Sequence, residues 1–116
     1  MQFNLRHDSS ETEREIRGFL DGIAGLIKKA GSPVFSREAA GKIGVRLCVL
    51  DALVDGLAKH DRGEDVRELF AGYYYAKALF YAYVGRANDG RQYWDKARAK
   101  RVNGQFVELC QRYYAG

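Results

Sequence analysis

The side chains most able to do chemistry in this chain are few and scattered. His60 stands in the stretch AKHDRGED beside Asp61, Glu64 and Asp65. An imidazole among carboxylates can take up and return a proton, so this is where a general base would be sought. His7 has no such company, and neither histidine lies near a cysteine at the spacing that zinc sites use. Cys48, between Leu47 and Val49, and Cys110, on the apolar side of its segment, read as buried and inert thiols. The stretch GRANDG has two glycines, yet no strand precedes it and no Lys-Ser/Thr follows, so it is not a phosphate loop. No catalytic set, metal site or cofactor emerges, and the expectation is a protein that is not an enzyme.

The more telling chemistry is charge. Residues 1–90 hold thirteen Lys/Arg and thirteen Asp/Glu, whereas residues 91–116 hold six and two, so the last 26 positions carry the whole net charge of +4. Five of those bases fall in RQYWDKARAKR: Arg91, Lys96, Arg98, Lys100 and Arg101. A local excess of this kind favours an anionic partner. Gln92, Tyr93 and Trp94 are interleaved with the bases, a mixture suited to tracking a phosphate backbone while rings stack on bases. The alternative is a solvated helix face on which Asp95 pairs with its neighbours.

These residues need a scaffold, and 116 residues with one Pro and no low-complexity linker suggest a single domain, 1–116, preceded by a flexible segment 1–9. Periodicity predicts an all-α compact bundle of four main helices. The first runs from about Ser10 to Ala30, with Ser10 and Glu13 as a capping box and Ile16, Phe19, Leu20, Ile23, Leu26 and Ile27 on one side. AGSP ends it. Ser36 caps a second helix reaching about Lys59, with Ile43, Leu47, Leu50, Val54 and Leu57 as its stripe. Gly41, Gly44 and Gly56 weaken that helix or let a neighbour pack closely. The third spans about Glu64 to Val84, and the fourth about Arg91 to Tyr113, with Val102–Gly104 as a point where it can break. Alternating apolar and polar runs are absent, so no strand is expected.

The stretch YYYAKALFYAY places six aromatics in eleven positions. Tyr73, Phe80 and Tyr81 follow the stripe of Val66, Leu69, Phe70 and Ala76 and read as core. Trp94, with Ala97, reads as core too. Tyr74, Tyr75 and Tyr83 fall elsewhere round the helix and are candidates for a partner interface, tyrosine having an apolar body and a polar tip. Glu64, Asp65, Arg67, Glu68 and Lys77 on the same helix argue against a membrane. The charged start MQFNLRHDSSETERE lacks the apolar run of a secretory leader. With two thiols that have no close-spaced partner, a reduced cytoplasmic chain is expected.

Laid end to end, the last two helices resemble the small helical subunit (the Csm small subunit) of type III-A CRISPR effector complexes. LFYAYVGR supplies Tyr81, Gly85 and Arg86 of that family's Tyr-x-x-x-Gly-Arg helix end. YWDKAR supplies its acidic-Lys-Ala step as Asp95, Lys96 and Ala97, and FVELCQRYYA echoes its last helix through Phe106, Leu109, Cys110, Tyr113 and Ala115. Upstream, VFSREAAGKIGVRL is loosely similar to the family's Ser/Thr-capped basic second helix. There Ser36 precedes REAAGK rather than Gln-x-Arg, which leaves open whether Arg37, Lys42 or Arg46 would meet RNA. The resemblance implies a non-catalytic subunit of a ribonucleoprotein, contacting crRNA and target RNA through sugar and phosphate beside other subunits and copies of itself. The RNA-binding residues it suggests, joined to the basic run, are Lys42, Arg46, Arg86, Arg91, Lys96, Arg98, Lys100 and Arg101.

Two other resemblances compete. LVDGLAKHDRGEDVRELFAGYYY is similar to flagellin-export chaperones at Leu57, Gly63, Glu64, Leu69 and Tyr73, which implies an adaptor that holds a partner helix in an apolar groove. Tyr74, Ala78, Tyr81, Gly85, Trp94 and Ala97 suit one tetratricopeptide helix pair, but a single copy cannot bury its own face. Residues 91–101 discriminate: dispensable for a chaperone, central for an RNA-binding subunit.

Overall fold

The computed structural model describes residues 4–30, 36–59, 66–102 and 106–114. Within them lie five helices and no strand: α1 (Asn4–Ala30), α2 (Arg37–Lys59), α3 (Arg67–Tyr83), α4 (Ala87–Ala99) and α5 (Val107–Tyr114). The all-helical expectation holds, with one more helix than expected because the fourth is two. α1 begins at Asn4, so Ser10 is inside the helix and not at its cap. Nothing from Asn4 to Ser10 is Gly or Pro, and such a run propagates a helix once one has formed. Pro33, His60 and residues 61–65, and with them the expected start of the third helix at Glu64, lie outside the described residues.

α1 and α2 pack together and both lie against α3. Ile16, Leu20 and Ile23 of α1 meet the predicted α2 stripe of Ile43, Leu47, Leu50, Val54 and Leu57, all buried. Ser36 caps α2, its hydroxyl oxygen accepting from the Ala39 N–H at 3.1 Å. Cys48 is exposed, contrary to the expectation of a buried thiol. It lies off the stripe despite its apolar neighbours in sequence. Of the α2 glycines, Gly44 faces the Phe80 ring, which a Cβ there would meet at 3.6 Å, while Gly41 and Gly56 face open space and let nothing pack closer.

α3 is the hub. It contacts α1 and α2 on one flank and α4 and α5 on the other. From Leu69 to Tyr83 its only charged residue is Lys77, and a helix apolar all round is one buried all round. That overturns part of the tyrosine reading. Tyr75 and Tyr83, proposed for a partner, are only 4% and 5% exposed. Tyr75 packs on Trp94 of α4 and Tyr83 on Tyr113 of α5. Phe80 and Tyr81, read as core, are half-buried instead, as is Tyr74.

The turn out of α3 is closed by paired backbone bonds. Gly85 N–H donates to Ala82 O at 3.1 Å and Arg86 N–H to Tyr81 O at 2.7 Å. Gly85 has φ +85°, the left-handed cap that glycine adopts without steric cost. α4 then starts at Ala87, four residues before the expected Arg91, so the NDG of GRANDG is its first turn. Asp89 there lies 2.7 Å from Arg86 and sits at the positive end of the helix dipole. Gly90 faces α3, and a Cβ on it would stand 2.9 Å from both the Ala78 carbonyl oxygen and the Tyr81 Cβ. The bare backbone lets α4 lie close along α3. α4 ends at Ala99, and Arg101 follows with φ 58°. α5 returns to α3, where Cys110 Sγ donates to Tyr75 O at 3.2 Å and the Tyr114 hydroxyl donates to Ala78 O at 2.7 Å.

Candidate nucleic-acid interface

The basic run of α4 does not form one stripe. A 3.6-residue period separates Arg91 and Arg98 from Lys96 and Lys100 around the helix, and the rings beneath them differ accordingly. Trp94 is buried at 3% exposure between these two edges.

On the α3 edge, three tyrosines form a column. Tyr81 stacks on Tyr93 with centroids 5.7 Å apart and planes 8° apart, and Tyr74 stacks on Tyr93 at 6.4 Å and 20°. Cations line this column. Lys96 Nζ is 5.5 Å from the Tyr93 centroid and 5.8 Å from that of Tyr74. Arg86 lies 5.3 Å over Tyr81, and Lys100 5.4 Å over Phe70. Lys77 reaches the column from α3, at 4.6 Å from the Tyr93 centroid.

Lys77 is anchored from behind. Its Nζ lies 3.1 Å from Asp51 on α2, and the Tyr73 hydroxyl donates to the same carboxylate. Burial alone would lower the lysine's proton affinity, but the Asp51 hydrogen bond and charge, with Tyr93 and Tyr81, raise it above the ordinary value. The Tyr73 hydroxyl is pushed well up, first by burial and then by Asp51.

On the α5 edge, Arg98 lies 5.2 Å over Trp94 and Arg91 5.4 Å over Tyr114. Trp94 and Tyr114 stack at 5.7 Å and 20°. Of the predicted cations on α4 and at its start, two are matched by acids: Arg98 with Asp95 at 3.3 Å and Arg86 with Asp89. Among the described residues, Arg91, Lys96, Lys100 and Arg101 have no carboxylate within ion-pair distance.

Lys42 and Arg46 do not join them. Lys42 pairs with Glu38 at 3.3 Å, and Arg46 Nη1 donates to Lys42 O at 3.0 Å. The Arg46 side chain leans over Gly22 of α1. Both stand on the α1–α2 flank, with α3 between them and α4.

The rings also serve differently from the sequence expectation. Their faces are taken up by one another and by the chain's own cations, so they seat the charges rather than present open platforms for bases. Contact of an ammonium or guanidinium with a ring contributes about 0.5–1 kcal/mol at exposed sites, which restrains these long side chains before any ligand arrives. Sequence reasoning missed Lys77, Asp51 and the role of Tyr93. The one available signal was Lys77 itself, the lone charge in an apolar run and four residues from both Tyr73 and Tyr81.

Leu57, Leu69 and Tyr73, which carried the chaperone resemblance, are buried in the chain's own core. No three His, Cys, Asp or Glu among the described residues come together as around a metal ion. No helix among them is long and apolar enough to cross a membrane. Against protein-family models, curated proteins and solved structures, the chain finds no match.

Proposed function

We propose that this chain is a non-catalytic RNA-binding subunit of a cytoplasmic ribonucleoprotein, of the kind that its resemblance to type III CRISPR small subunits implies. It holds crRNA and target RNA by the backbone and stands beside neighbouring subunits. The observation that supports this reading is the set of Arg91, Lys96, Lys100 and Arg101, without carboxylate partners among the described residues, three of them seated on rings. Such charges neutralise phosphates and release counterions without reading sequence. Backbone contact is what a guide complex requires of its protein, because base pairing reads the sequence.

Fluorescence anisotropy with labelled RNA, titrated at several salt concentrations, tests the proposal. Saturable binding that weakens steeply with salt is expected. Lys96→Glu with Lys100→Glu tests the α3 edge, and Arg91→Glu with Arg98→Glu the α5 edge. Each lost phosphate contact should lower the salt slope by about one. Absence of binding at low salt, or affinity unmoved by both pairs, would end this reading.

A further inference from the structure

The outward face of α2 is apolar and repeats itself in reverse. Val45 is 65% exposed and Val49 39%, two of three large apolar residues exposed among those described. Isolated exposed valines need no explanation, but two on adjacent turns of one face do. Cys48 and Ala52 are exposed beside them, and Gly41 and Gly56 continue the strip at either end. Steps of three and four residues put all six on one side of the helix. At its ends stand two surface ion pairs, Glu38 with Lys42 at 3.3 Å and Asp55 with Lys59 at 3.8 Å.

Reversed about the point between Cys48 and Val49, the strip maps onto itself. Gly41 comes level with Gly56, Val45 with Ala52, and Cys48 with Val49. The charges invert as they must for attraction: Glu38 comes level with Lys59, and Lys42 with Asp55. A parallel arrangement in register would set Glu38 on Glu38 and Lys59 on Lys59. The complementarity therefore selects both the occupant, an identical helix, and its direction.

We propose that α2 of one copy packs antiparallel on α2 of a second copy, across a two-fold axis that passes between Cys48 and Val49. Contacts of this isologous kind are the commonest route to a dimer. Gly41 and Gly56, with open space around them, allow close approach of the two backbones at the ends. A single helix-on-helix contact is smaller than the about 1,200 Å² of a standard interface, which places it among weak, reversible associations. The proposal does not rest on RNA binding. The strip lies on the exposed face of α2 and includes none of the α4 cations.

Sedimentation equilibrium of the full chain under reducing conditions decides it. The native chain should show a reversible monomer–dimer equilibrium across micromolar concentrations. Val45→Glu should be monomeric, with its helical circular dichroism and melting intact. Lys59→Glu alone sets two acids level and should weaken association about tenfold or more. Adding Glu38→Lys to it restores the opposite signs and should recover most of the loss. A chain monomeric throughout leaves this face to some other protein and overturns the proposal. So does a dimer that survives Val45→Glu, or one that the charge exchange fails to rescue.

Discussion

The Tyr114 hydroxyl reaches across Gly90 to donate to the Ala78 carbonyl at 2.7 Å, so that the last helix is tied to the central one over the first turn of α4. Three helices meet at a residue without a side chain. Gly90→Ala would drive a methyl into the Ala78 carbonyl oxygen, the Tyr81 Cβ and the Tyr114 hydroxyl. Backbone on one side leaves little room to relax, and overpacking of this kind costs about 1–3 kcal/mol, with about 1 kcal/mol more for the displaced hydrogen bond. Against that, alanine improves helix propensity by about 1 kcal/mol. The net expectation is a loss of about 2 kcal/mol in urea unfolding. Gly18→Ala, where a Cβ meets nothing within 4 Å, should instead stabilise α1 by up to about 1 kcal/mol. Equal effects from the two substitutions would refute the close approach.

Alkaline pH should unfold this chain by a predictable route. Burial pushes the Cys110 thiol up from 9.0 to about 12, and the Tyr114 hydroxyl up from 10.0 to about 12. Burial also raises Tyr75 and Tyr83. Each group binds its proton more tightly when folded, so its contribution is whole below the unfolded value and is lost as pH climbs to the folded one. Stability should be level to about pH 9 and then fall through about pH 12, by about 1.4 kcal/mol per pH unit for each group in transition. Urea midpoints at about pH 8 and about pH 11 measure this. A midpoint that holds steady would show these hydroxyls and the thiol to be solvated. At neutral pH and at concentrations too low for the α2 dimer, a thiol reagent should modify exposed Cys48 quickly, and Cys110 only on unfolding.

Tyrosine truncations should rank by what covers them. Tyr75→Ala and Tyr83→Ala remove rings buried under α4 and α5 and should each cost about 3–5 kcal/mol. Half-buried Tyr74→Ala, Phe80→Ala and Tyr81→Ala should each cost less, about 1–3 kcal/mol. Thermal melts of the five variants supply the order. A larger loss at Tyr74 than at Tyr75 would contradict the burial of Tyr75 beneath α4.

That ranking also marks where the sequence could be read and where it could not. The stripes of α1 and α2 were legible because each helix buries one side only, and a single period of 3.6 describes it. α3 defeats the same reasoning. Covered on both flanks, it buries Tyr75 and Tyr83 off the expected stripe, and no local pattern says which rings α4 and α5 will reach. Gly90 misled for a related reason. The expected start at Arg91 left Gly90 outside the fourth helix, whereas it lies in the first turn of α4 and serves close contact with α3. The basic run was legible as charge, but its division into two edges appears only once α4 has a start and a neighbour.

Lys77 tests whether the tyrosine column depends on its anchor. Its side chain is 14% exposed and faces an Asp51 carboxylate that is 47% exposed. Asp51→Ala leaves an ammonium in a largely covered place and removes the acceptor of the Tyr73 hydroxyl. A cost of about 1–3 kcal/mol is expected. Lys77→Met keeps the length of the side chain and its contact with Tyr93. Combined with Asp51→Ala, it should recover part of the loss, because the charge that was stranded is gone. Strictly additive losses in this cycle would mean that the two residues do not act together.

Arg101 sets binding against stability. At φ 58° it occupies, directly after α4, the left-handed position where glycine is normally found. A non-glycine residue is held there at a cost of about 1 kcal/mol or more. Its side chain is exposed and has no acid partner among the described residues. Arg101→Gly should therefore melt higher, by the equivalent of about 0.5–1 kcal/mol after the added freedom of the unfolded chain is counted. It should also bind RNA several-fold more weakly, with a salt slope smaller by about one. Arg101→Ala separates the two effects, since it keeps the strained backbone and loses the charge. It should bind like the glycine variant and melt like the native chain. Arg101→Lys keeps both and should change neither. A glycine variant that binds RNA as tightly as the native chain would remove Arg101 from the interface. One that melts lower would show that this backbone conformation carries no cost.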